Sequence, residues 1–287
     1  MSQPSFPAPG PAGVPTPGQI GGPAQPAPPS GPVPQVLAQL RSELRKTTST
    51  TLWWALLIPA ALLSLLVNLA TTQGGALAFT SGLGMALALG SFASKFAVVY
   101  GVICAATEFR HRTVTTSYLA EPRRVIVVGA KAVVAGGVGA LYAVAASAAG
   151  LLGVLMGGGM PDAQPDSLFE VCAVATLTFA LWAVLGVGVA FLLNNQLAAI
   201  VTLLLYLLLV EQILVGVASL FGVGPIEDYL PGGAANTALT DLASAGSLGG
   251  LLGGGTLPWW LALLVFAGYA LLALVAGAAA AQRRDVT

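Results

Sequence analysis

Six apolar runs divide most of this chain, at about 52–70, 84–106, 130–155, 169–193, 197–220 and 258–281. Each is close to the roughly 20 residues that a helix needs to cross a hydrocarbon core of about 30 Å. Inside that core the backbone must satisfy its own hydrogen bonds. The chain is therefore limited to membrane-spanning helices or a closed barrel, and runs of this length are helical. Charged residues are 8% of the total and mean hydropathy is +0.86, which fits no soluble domain. The reading is an all-α, polytopic membrane protein of six transmembrane helices with an N-terminal interfacial amphipathic helix.

The distribution of charge sets an expected topology. With both termini on one side, that side holds Arg41, Arg45, Lys46, Arg110, Arg112, Arg123, Arg124, Lys131, Arg283 and Arg284. The opposite loops hold no Lys or Arg and carry Asp162, Asp166, Glu170, Glu227, Asp228 and Asp241. By the positive-inside rule both termini are expected in the cytoplasm. Lys95 is the one basic residue inside a run.

Residues 1–34 carry twelve of the nineteen prolines, six glycines and no charge. They are expected to form a disordered cytoplasmic tail, not a signal peptide. Over 35–50, Val36, Leu37, Leu40 and Leu44 recur at helical spacing, with Arg41, Glu43, Arg45 and Lys46 between them. That pattern predicts an amphipathic helix with its apolar stripe in lipid. Trp53 and Trp54 follow at an interfacial position. Pro59 is expected to kink the first span. The third run begins at Val125, longer than a perpendicular helix requires, so either tilt or an interfacial first turn with Lys131 snorkelling is expected to accommodate it. Asn194-Asn195-Gln196 predicts a tight hairpin between spans four and five. The long segment from Phe221 to Leu257 is Gly-rich and apolar enough for part of it to dip back against the bundle. Gly153 and Gly157, and the cluster Gly136, Gly137 and Gly139, offer close helix contacts.

The chemistry is sparse. The sequence contains no phosphate-binding GxxxxGK[ST], no HExxH, no CxxC and no GxSxG. His111 is the only histidine, and Cys104 and Cys172 both fall inside predicted spans. No catalytic residue, metal ligand, cofactor site or disulfide is expected in this chain, and ATP hydrolysis by it alone is not. Two features stand out instead. Lys95 and Glu211 lie at similar depth within spans two and five, where an unpaired charge costs at least about 2.5–3.5 kcal/mol. They are expected to form a buried ion pair or to line one polar translocation path. The second feature is the island EFRHRTVTTSYLAEPRR, Glu108 to Arg124, with four of the eleven basic residues. Its residues 113–120 are expected to form short helical turns ended by Pro122, and Glu108 to pair with nearby arginines or reach a soluble partner.

The order of elements carries a resemblance. SELRKTTSTTLWW precedes two spans, then come EFRHRT and LAEPRR, a third span opening with GAKAV, and YLPGGAANTAL (Tyr229–Leu239) before the last span. Over 35–281 this resembles the membrane (permease) subunits of type-2 ABC exporters, especially actinobacterial ones, and the Ala, Gly, Pro, Leu and Val bias points to a GC-rich bacterial genome. The resemblance implies a permease domain over 35–287 in the bacterial plasma membrane, with a connecting helix at 35–50 and a cytoplasmic coupling loop at 108–124. It implies Glu108, Phe109, Arg110, Arg112 and Thr113 as ATPase-coupling residues. The implied partners are a cytoplasmic P-loop ATPase subunit holding ATP and Mg, a second permease copy or related permease, and membrane lipids, with no nucleic acid. The transported substrate is expected to be hydrophobic or amphipathic. Two other readings stay open on the residues alone: an ion-coupled secondary transporter using Lys95 and Glu211, and a non-transporting membrane scaffold or immunity-type protein.

Overall fold

The computed structural model describes residues 32–73, 90–110, 123–158, 165–224, 226–244 and 257–283. The described residues are helical, with no strand among them. In order they form α1 (Pro32–Ser49), α2 (Leu52–Gln73), a 3₁₀ turn (Gly90–Ala93), α3 (Ser94–Arg110), α4 (Arg124–Met156) and α5 (Pro165–Leu193). Next in the chain are α6 (Gln196–Leu205), a π-helical turn (Tyr206–Val210), α7 (Glu211–Leu220), a 3₁₀ turn (Ile226–Tyr229), α8 (Pro231–Ser244) and α9 (Trp259–Arg283). Among the described residues, five helical stretches are long and apolar enough to cross a membrane: Leu52–Gln73, Arg124–Met156, Phe169–Leu193, Gln196–Leu220 and Trp259–Arg283. The expected second span at 84–106 begins outside the described residues. Its described part is the turn at Gly90 and α3, which runs on to Arg110.

The central helix is α5. It packs against α3, α4, α8 and α9, while α2 lies against α4 on the outside. Phe179, Trp182, Ala183, Val187 and Phe191 of α5 are buried to 2% exposure or less. Glycines set the closest helix crossings. A Cβ on Gly139 would meet the Phe179 carbonyl oxygen at 2.6 Å, and one on Gly101 would collide with the Ala183 carbonyl. Gly153 abuts the Leu65 carbonyl and Gly157 the Thr72 side chain, so α2 lies flush on α4. Gly136 sits at ordinary contact distance from Val184, whereas Gly137 faces open space. Bare backbone at these crossings lets dispersion act at short range, the main attraction available between helices in lipid.

The bundle has two distinct ends. At the basic end lie α1, the start of α2, the end of α3, the start of α4, the α5–α6 turn and the end of α9. Here Tyr142 of α4 donates to the Trp53 carbonyl at 2.6 Å, and Arg124 donates to the Ala281 carbonyl at 2.6 Å, capping the last turn of α9. The α5–α6 turn is tight, as its sequence predicts. Asn194 takes φ 50°, and the Asn195 side chain accepts from the Ala198 N–H to cap α6. Helix α2 runs unbroken through Pro59. Outward-facing apolar side chains such as Leu62, Leu66, Leu197, Leu208 and Leu272 are more than half exposed in the isolated chain. Trp54 at one end and Phe221 and Trp260 at the other are exposed where aromatic belts sit.

Helix α1 begins three residues earlier than its pattern indicates. Pro32 and Pro34 fall in its first turn, where the missing N–H groups have no helical acceptor in any case. Residues 1–31 lie outside the described residues, as do 111–122, whose sequence predicts short helical turns.

Candidate functional site

At the basic end, three helices bring four charges together. Glu43 and Lys46 come from α1, three residues apart and hence on neighbouring positions of one helix face. Glu108 comes from the last turn of α3, and Lys131 from the second turn of α4. Lys131 Nζ donates to Glu43 Oε2 at 2.6 Å and to Glu108 Oε1 at 3.1 Å. Lys46 Nζ donates to Glu43 Oε1 at 2.7 Å and to Glu108 Oε1 at 2.8 Å. Two carboxylates and two ammonium groups thus alternate in a closed, neutral ring. Glu43 and Lys131 are each 1% exposed, Glu108 8%, and only the Lys46 side chain reaches out. Beside the ring, the Thr47 and Tyr100 hydroxyls are 3.3 Å apart, and the Tyr100 ring leans on Tyr142 with centroids 5.8 Å apart.

The ring corrects one expectation. Lys131 does not snorkel; it is buried and paired, because α1 folds over the start of α4 and supplies Glu43. Glu108 directs its carboxylate at Lys46 and Lys131. Helix α1 turns its polar side toward the bundle. Glu43 and Thr47 are buried against the bundle, while Val36, Leu37 and Leu44 remain 39–50% exposed. Burial alone would raise the pKa of Glu43, but the Lys131 charge and its hydrogen bond outweigh this and hold the carboxyl below 4.5. Burial would lower Lys46, but its hydrogen bonds to Glu108 and Glu43 hold it above 10.5.

Of the other proposed coupling residues, Phe109 packs edge-on against Phe191 of α5, with centroids 5.4 Å apart. Arg110 ends α3, and its side chain lies outside the described residues, as do His111, Arg112 and Thr113. The loop 108–124 thus enters from the ring and leaves into α4, seven residues before Lys131.

The second cluster lies deep in the bundle. Lys95 and Glu211 do not form an ion pair; each has another partner. Lys95 Nζ stands 4.2 Å above the centre of the Trp182 ring, a cation–π contact on a side chain 1% exposed. Glu211 is 3% exposed, and its two oxygens accept from the Gly232 N–H at 3.1 Å and the Gly233 N–H at 2.6 Å. The reason is architectural. The segment after α7 turns back into the bundle, so the first turn of α8 presents backbone donors at membrane depth. In lipid such donors need acceptors, and Glu211 supplies them. Lys95 still lies within electrostatic range of Glu211.

The Glu43–Lys131 contact escapes a reading of the sequence because it joins residues 88 apart across two helices. A signal was present: a lysine seven residues inside an apolar helix needs a partner as much as Lys95 does. Among the described residues no group of three or more His, Cys, Asp or Glu is placed to hold a metal ion. Compared with known proteins, the sequence matches no family model and no curated protein.

Proposed function

We propose that the chain is the transmembrane permease subunit of an ATP-driven exporter in a bacterial plasma membrane, with both termini cytoplasmic. A separate P-loop ATPase, which holds ATP and Mg, docks on segment 108–124, and a second permease copy completes the assembly. The substrate is hydrophobic or amphipathic. The observation that carries this reading is the charge ring. It fastens α1 to the foot of α3 and the start of α4, so the two ends of segment 108–124 and the helix lying over them form one mechanical unit. A force applied to that segment moves α3 and α4 together with α1, and Phe109 carries it on to α5 through Phe191. Neutral in sum, the ring adds fixed geometry at little long-range electrostatic cost. The separate partners of Lys95 and Glu211 weigh against an ion-coupled transporter built on that pair.

The test is a mild-detergent pull-down of the tagged protein, with ATPase activity assayed on the eluate. Arg112→Ala, outside the ring, should lose most of the co-eluting ATPase while the permease keeps its melting temperature. Glu108→Gln should keep the partner bound but lower the ATPase stimulation by substrate or lipid. Folded wild-type protein that elutes with no ATPase would sink the reading.

A further inference from the structure

Three contacts fix how far α8 enters the membrane. Glu211, which holds its first turn, stands nine residues before the end of α7 at Leu220. Tyr269, ten residues into α9, donates to the Tyr229 carbonyl just before α8 at 2.9 Å. Asp241, near the far end of α8, accepts from the Trp259 N–H at the start of α9 at 2.9 Å. At 1.5 Å per residue, the first two place the start of α8 roughly 14–15 Å inside the acidic end, and the third places its far end back at that surface. The segment between α7 and α9 therefore dips to about mid-membrane and returns as a helix.

The seat at the bottom of the dip is built for Glu211. A Cβ on Gly232 would lie 2.5 Å from Glu211 Oε2, so a side chain there would push the carboxylate off its donors. Along its length, α8 buries Ala234, Ala235, Ala238 and Leu239, mostly one-carbon side chains that a small displacement can release. Directly before Glu211 lies the π-helical turn Tyr206–Val210, which holds one residue more than an α-helical turn. Relaxing it to α geometry rotates α7 by about 100°, enough to carry the carboxylate away from Gly232 and Gly233.

We propose that α8 is a movable plug at the acidic end of the bundle, latched by the Glu211 carboxylate and released by relaxation of the adjoining π turn. The latch works by trading partners. While Glu211 is seated, the two leading N–H groups of α8 are satisfied in a region without water, and the plug stays down. When Glu211 turns away, those groups need water, so the start of α8 moves toward the acidic end while Asp241 keeps its far end tied to α9. This does not depend on what drives the motion, so it stands or falls separately from the ATPase reading.

The experiment uses the full chain in lipid nanodiscs with Cys104→Ser and Cys172→Ser. The reporter is Ala235→Cys, 1% exposed on α8, and the control is Ala135→Cys, 0% exposed on α4. Both are labelled with a water-soluble maleimide. The latch predicts that Glu211→Gln speeds labelling of the reporter by roughly tenfold, and Glu211→Ala by more, since charge-assisted hydrogen bonds are lost. Gly232→Ala, which keeps Glu211 but pushes its carboxylate off its seat, should act like Glu211→Gln. Labelling of the control should not change. A reporter as protected in Glu211→Gln and Gly232→Ala as in the parent overturns the proposal. So does a control that opens by the same factor as the reporter, because the contact would then support the whole fold and not one helix.

Discussion

At the scale of the residue, Lys131 decides most. It is a fully buried ammonium whose two partners come from helices on either side, so removing it leaves two buried carboxylates sharing the half-exposed Lys46. Lys131→Ala should destabilise the protein by about 3–5 kcal/mol, read as a large drop in melting temperature in mild detergent. The double variant Lys131→Met with Glu43→Gln should lose clearly less than the sum of the two single changes, because each single change leaves a charge without its counterpart. The two α1 groups also set a pH window. Glu43 is held below 4.5, so its contribution is complete above that value and is lost as the pH falls through its folded pKa. Lys46 is held above 10.5, so its contribution is complete below that value and is lost as the pH rises through its folded pKa. Melting measured against pH should therefore fall off at both extremes, with the acid limb removed by Glu43→Gln. The alkaline limb should be shallow, since Lys46 is about half exposed and solvent screens it.

At the scale of the element, the sequence pattern gives helices readily and their faces less well. The period of α1 is visible in Val36, Leu40 and Leu44, yet the side that meets the bundle is the one bearing Glu43 and Thr47. A hydrophobic period reports which side prefers an apolar environment. On a helix lying between lipid and protein that side is not the inward one. Glycine spacing is similarly ambiguous: Gly153 and Gly139 sit at crossings, whereas Gly137 meets nothing. Gly153→Val should therefore wedge α2 off α4, and Gly139→Val should part α4 from α5. Each should cost about 1–3 kcal/mol or more, while Gly137→Val should melt like wild type. Thermal melting of the three variants side by side checks the set.

For the whole molecule, the segregation of charge along the sequence predicts two unlike ends, and the described residues bring Lys46, Arg124 and Lys131 together at one of them. Arg45 on α1 and Val223 after α7 lie at opposite ends and are exposed. In sealed cells, an impermeant maleimide should label Val223→Cys and leave Arg45→Cys unlabelled until the membrane is opened. The reverse pattern would invert the orientation used in the proposed function.

The sequence by itself determined the solvent, the helical class, the tight turn at Asn194 and the segregation of charge. These arise from composition and period over stretches of about twenty residues, where the cost of exposing backbone to lipid leaves one solution. Only the tertiary structure decided which charges meet. Lys95 and Glu211 share a depth, but depth leaves rotation about each helix axis free. Packing turned Lys95 to Trp182 and Glu211 to the start of α8. Likewise Lys131 found Glu43 because α1 folds back across the start of α4. Partner choice among buried charges depends on helix rotation and crossing, which side-chain volumes and glycine contacts set across the bundle and no local stretch of sequence encodes.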